Sequence, residues 1–132
     1  MKYGILSHTA DLKIKVFGKD KKELFANAMI GMFKEAGYMA TKEIAKKEVE
    51  VESTDLESLL IDFLNEVLYV GSVNKEIYQK IIYREFSDIK IRAELLGKKI
   101  KRFNLEIKSA TYHNLEIKKT KNYWQAIILF DV

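Results

Sequence analysis

Apolar and polar positions alternate through residues 12–16, where Leu12, Ile14 and Val16 are separated by Lys13 and Lys15, and this period of two predicts a β-strand. Gly18 closes the run and the period changes. Leu24, Phe25, Ala28, Met29, Met32 and Phe33 recur at helical spacing; Asp20 stands ready as N-cap, Glu23 completes a capping box, and Gly37 is placed to stop the helix. A lysine-rich loop follows, then "KEVEVES", with Val49 and Val51 on one face of a second strand. The strongest pattern is "STDLESLLIDFLNEVLYV". Leu56, Leu59, Leu60, Phe63, Leu64, Val67 and Leu68 form an apolar stripe, a capping box of Thr54 and Glu57 predicts the helix start, and Gly71 its end. Such a stripe needs a sheet to cover it.

The remainder reads as strands at about 77–86, 88–96, 103–112, 114–119 and 123–131. Ile89, Ile91, Ala93 and Leu95 alternate, as do Phe103, Leu105 and Ile107, while "HN" at 113–114 and "KTKN" at 119–122 read as turns. Two helices early and a run of strands late predict an α+β fold, a mostly antiparallel sheet or sheets packed with two amphipathic helices. Residues 1–132 carry no internal linker or repeat and read as a single domain.

Composition narrows the function without choosing it. Hydrophobic residues make up 48% and charged residues 32%, the balance of a globular protein. There is no cysteine, which removes disulfides, thiolate metal sites and cysteine nucleophiles, and which accords with a cytoplasmic location. No apolar run reaches the roughly 18 to 20 residues of a membrane span, and neither a signal peptide nor a membrane partner is expected. The net charge of +4 is a mild excess. Its clusters (Lys42, Lys46 and Lys47; Lys98, Lys99, Lys101 and Arg102; Lys118, Lys119 and Lys121) read first as guards of strand edges, and second as an RNA track.

The candidate chemistry lies at two distant points. "SHTAD" precedes the first long strand and "FDV" closes the last. If those strands are antiparallel neighbours, Asp11, Asp131 and the terminal carboxylate of Val132 converge. Negative oxygens so placed repel one another unless a cation or a proton intervenes, and hard oxygen donors select Ca²⁺ or Mg²⁺, with calcium more tolerant of irregular geometry. The plainer alternative is that Asp11 caps a turn while Asp131 faces solvent.

"HTAD" at 8–11, "ELF" at 23–25, "LLIDFLNEVLYV" at 59–70, "EIKSATYHNLEI" at 106–117 and the closing "WQAIILFDV" resemble the archease family, in order and across essentially the whole chain. The resemblance implies a small cytosolic α+β protein that activates the tRNA-splicing RNA ligase, the enzyme joining 3′-phosphate or 2′,3′-cyclic-phosphate RNA ends to a 5′-hydroxyl. Archeases promote guanylylation of that ligase's active-site histidine and allow multiple turnover; they are activators, not enzymes in their own right. The family's calcium site corresponds to Asp11, Asp131 and the main-chain oxygen of Val132. Two departures stand out. Many archeases carry another aspartate just after the first helix, where only Glu35 or Glu43 is available here, and the stretch after Gly97 is short and basic.

Other polar residues are read more plainly. His8 is placed to orient the Asp11 carboxylate, and His113 reads as a turn residue. Lys108 points away from the core, toward partner or phosphate. Asp62 and Glu66, four apart on the outer side of the second helix, read first as a solvated face and second, with Asn65, as a contact surface for the ligase. Two rival functions accompany the ligase-activator reading: a metal-dependent phosphohydrolase or nuclease, in which paired carboxylates activate water, and an RNA-binding chaperone acting through the lysines. Contact with RNA is otherwise expected to be weak or indirect, and the oligomeric state is left open.

Overall fold

The computed structural model describes residues 2–5 and 11–132. Among these the chain forms β1 (Tyr3–Ile5), β2 (Asp11–Gly18), α1 (Lys21–Ala36), β3 (Tyr38–Glu52), α2 (Leu56–Asn74), β4 (Glu76–Phe86), β5 (Lys90–Phe103), β6 (Ser109–Lys119) and β7 (Trp124–Asp131). The strands build two antiparallel sheets, ordered β1-β2-β7-β6 and β3-β5-β4. The fold is α+β, as the periodicities require.

Each helix touches both sheets: α1 packs on β2 and β4, and α2 on β6 and β3. One continuous core results. It explains why α2 buries more than the stripe read from the sequence. Ile61, outside that stripe, is fully buried, because sheet surface covers the helix on more than one side. Each large side chain so buried stabilises the fold by about 1.5–3 kcal/mol.

The first helix begins and ends where its signals lie. The Asp20 carboxylate accepts from the Glu23 N–H at 2.8 Å, and Gly37, at φ 71°, donates its N–H to the Phe33 carbonyl. The second helix differs at both ends. Its cap is Asp55, not Thr54, and the Asp55 carboxylate accepts from the Ser58 N–H at 2.7 Å. That hydrogen bond holds the Asp55 carboxyl below its usual range, and the ionised acceptor suits the positive helix end. The helix also runs past Gly71 to Asn74, and Lys75 in the left-handed conformation closes it by donating to the Gly71 carbonyl. Gly71 is fixed by crowding, since a Cβ there would lie 2.8 Å from the Glu76 carbonyl oxygen.

Three strand readings also change. The lysine-rich stretch after α1 is the start of β3, an edge strand that buries only Ala45 and Val49 and so tolerates polar residues. The basic stretch after Gly97 continues β5 to Phe103. Residues 104–108 are not strand despite their alternation, because the N–H groups of Asn104 and Leu105 donate to the Gly37 and Ala36 carbonyls at the end of α1. His113 and Asn114 make no turn: β6 passes through them, with a register jump between Thr111 and Glu116 and Asn114 at φ 54°. The short strand β1, pairing Tyr3 with Val16, carries no periodic signal at three residues.

Candidate functional site

Asp11 opens β2 and Asp131 closes β7, and the two strands are antiparallel neighbours from Asp11↔Asp131 to Gly18↔Trp124. Apolar packing sets this register. Ile14 lies opposite Ile128 and Val16 opposite Ala126, all fully buried, and Leu12 faces the buried Phe130. A slip of one residue would turn that whole set to the other face of the sheet. The two aspartates sit one step beyond Leu12 and Phe130, so alternation puts both side chains on the opposite face, directly across from each other. Cβ atoms in such a pair are about 4.5–5.5 Å apart, and like charges so placed destabilise the sheet. Asp131 is exposed and Asp11 half-exposed. Among the described residues neither carboxylate forms an ion pair.

The next strand completes the tip. Ser109, the first residue of β6, is also opposite Asp131, and the Lys108 N–H donates to the Asp131 carbonyl at 2.8 Å. Lys108 is exposed. Val132 is half-buried against the core, its main chain following directly on Asp131. The donors gathered here are oxygens: two carboxylates with main-chain carbonyls beside them. That set fits calcium, which accepts mixed carboxylate, carbonyl and water ligands at 6 to 8 positions. Among the described residues no three side chains of His, Cys, Asp or Glu cluster at metal-ligand range, so an ion here would draw its other ligands from main chain and water.

The remaining candidates fall elsewhere. His8 lies outside the described residues. His113 is exposed on the β6 bulge. Glu35 accepts from the Tyr3 hydroxyl at 3.2 Å, and Glu43 lies on β3 in the other sheet; neither joins the aspartates.

The structure adds a polar stripe on α2 that the sequence reading set aside as a solvated face. Asp62 accepts from the Ser53 hydroxyl at 2.9 Å and the Tyr112 hydroxyl at 2.7 Å, and that second bond, with burial, pushes the Tyr112 hydroxyl up. The Asn65 amide donates to the Ala110 carbonyl at 3.1 Å and accepts from the Ala110 N–H at 2.7 Å. Asn65 thereby occupies both main-chain groups of the residue after Ser109. A signal was present: Asp62, Asn65, Glu66 and Tyr69 follow helical spacing as closely as the leucines do.

Comparison with known proteins bears on the same blocks. The model of the archease protein family (MTH1598/TM1083) matches residues 3–132. The chain belongs to the archease family. An archease of Methanosarcina barkeri is 38% identical, over 98% of this chain and 95% of its own length. One from Pyrococcus abyssi is 31% identical, with 95% and 94% covered. The solution structure of Methanobacterium thermoautotrophicum protein 1598 superposes with a TM-score of 0.74 at 26% identity, covering 99% of each chain. The crystal structure of a Thermotoga maritima archease gives 0.71 at 23% identity, covering 96% of this chain and 94% of that one, and bears on the fold alone. The archease fold therefore spans both strands, β2 and β7, that meet at the acidic tip.

Proposed function

We propose that this protein activates the tRNA-splicing RNA ligase, promoting guanylylation of that ligase's active-site histidine and multiple turnover, without turnover chemistry of its own. The single observation that carries the reading is the opposition of Asp11 and Asp131 at one exposed end of the β2–β7 pair. An exposed acidic tip on paired strands can enter a partner's cleft with its backbone already fixed, so little main-chain ordering entropy is lost on docking. Asp11, Asp131 and the Val132 main-chain oxygen would hold calcium, which would supply charge neutralisation and phosphate orientation there. The aspartates themselves bring anionic oxygens to a centre where a nucleotide phosphate must be aligned for attack. The main chain of Lys108, hydrogen-bonded through its N–H to the Asp131 carbonyl, fixes the end of β7 that carries one of them.

The test is a single-turnover guanylylation assay with the cognate ligase and GTP. Wild-type protein is expected to accelerate label transfer to the ligase, and Asp11→Ala or Asp131→Ala to reduce that stimulation at least tenfold while keeping the wild-type circular dichroism spectrum. Undiminished stimulation by either folded variant overturns the mechanism.

A further inference from the structure

A groove of about 750 Å³ opens between the C-terminal half of α2 and the segment joining β5 to β6. It is separate from the acidic tip yet abuts it, since Lys108 and Ser109 belong to both. Its floor is apolar: Phe33, Leu68, Ile100 and Ile107 contribute buried surface, and Phe103 is half-buried. Its rim is cationic. Lys75, Lys101, Arg102 and Lys108 stand against one carboxylate, Glu106, and among the described residues none of the four cations forms an ion pair. Tyr69 borders the groove at 64% exposure. Arg102 finds only a weak contact, 3.5 Å to the Met39 sulfur.

These basic residues differ from the other lysine clusters. Lys42, Lys46 and Lys47 lie on the edge strand β3, and Lys118 and Lys119 on the edge strand β6, where lysines block pairing with another sheet. Lys101 and Arg102 lie at the end of β5, past its last partner on β4, and form part of the groove lining itself. Lys99, on the same strand, is taken up by Glu76 at 2.8 Å. Among the described residues the groove cations thus stand without an ion pair, in contrast to Lys99.

We infer that this groove binds single-stranded nucleic acid, one base on its apolar floor beside Tyr69 and Phe103 and the flanking phosphates on Lys101, Arg102 and Lys108. An apolar floor under exposed aromatic and cationic groups is what a base with its phosphates requires. The volume falls within the 300–1,000 Å³ range of small-ligand sites and holds a nucleotide unit. Four cations against one carboxylate leave a net charge of +3, more than a nucleoside monophosphate neutralises, and they are spread along the rim as the successive phosphates of a strand are. That the strand is RNA rests on the ligase-activator reading; the groove's chemistry does not.

The experiment is fluorescence anisotropy of a labelled oligouridylate and its DNA counterpart with the purified protein alone, titrated at several salt concentrations. Wild-type affinity is expected to fall with salt, with a log–log slope of about −2 for three phosphates engaged. The double charge reversal Lys101→Glu/Arg102→Glu is expected to weaken binding at least tenfold, and Tyr69→Ala about tenfold. Lys46→Glu/Lys121→Glu makes the same change in net charge at exposed positions off the groove and is expected to cost less than twofold. All these side chains are exposed, and circular dichroism checks each fold. Equal losses in the two charge-reversed proteins, or binding of a mononucleotide but not a strand, would overturn the assignment. So would groove variants that keep oligonucleotide binding but lose ligase stimulation, because the groove is then a protein contact. Loss of stimulation in the aspartate variants with strand binding intact leaves the groove standing.

Discussion

Glu76 and Asp131 are both strand carboxylates, and their surroundings differ sharply. Glu76 is buried to 3% exposure, and its two oxygens take the Tyr78 hydroxyl at 2.6 Å and the Lys99 ammonium at 2.8 Å. Burial pushes its carboxyl up, but the hydrogen bonds and charges of Lys99 and Tyr78, with Lys47 farther off, outweigh it and leave the group below its usual value. A folded-state pKa below the unfolded one means that the unfolded chain binds more protons. The stabilisation is therefore full above the ordinary glutamate value of 4.5 and is lost as pH falls toward the lower folded value. Glu76→Gln is expected to cost about 1–3 kcal/mol in urea unfolding at pH 7. The gap from wild type should shrink as the pH is lowered below 4.5; a gap independent of pH would contradict it. Asp11 and Asp131 have no such partners among the described residues, and each has the other directly opposite. This pair was legible in the sequence because period-two alternation and antiparallel pairing suffice to place it. For Asn65 the helical spacing shows the face it lies on but not its role, because its partner is the main chain of Ala110, which no side-chain pattern reports.

Among the elements, the helices were the most readable. Their stripes are long, and the α1 cap signals are local. The α2 cap moved by one residue because Thr54 and Asp55 are both competent acceptors and the choice depends on the helix end. The strands after Gly97 were misdivided for a tertiary reason. After Phe103 the alternating Leu105 and Ile107 lie outside the sheet, where the end of α1 presents unpaired carbonyls, and β6 continues through a bulge that resembles a turn in sequence. Asn65 holds that irregular strand to α2. Replacing it with alanine leaves the Ala110 N–H and carbonyl without that partner and is expected to cost about 2–3 kcal/mol. Amide exchange should rise at Lys108–Ala110 ahead of the rest of β6. Exchange unchanged there, with stability intact, would show that Asn65 does not anchor β6.

At the scale of the molecule, the fold joins the start of β2 to the end of β7 through a register that the core enforces. The same core places a cationic groove beside the acidic tip, so opposite charges meet at Lys108 and Ser109. Mutual repulsion of two opposed carboxylates is a standing cost, and an ion that binds only the folded state would reverse it by mass action, adding about 2.7 kcal/mol at a hundredfold excess over its Kd. Calorimetric titration with calcium tests this most directly, on wild-type protein and on Asp11→Asn and Asp131→Asn. The account predicts one ion bound per wild-type chain and none by either variant. Absence of calcium binding by the wild type, or equal binding by all three proteins, would contradict it.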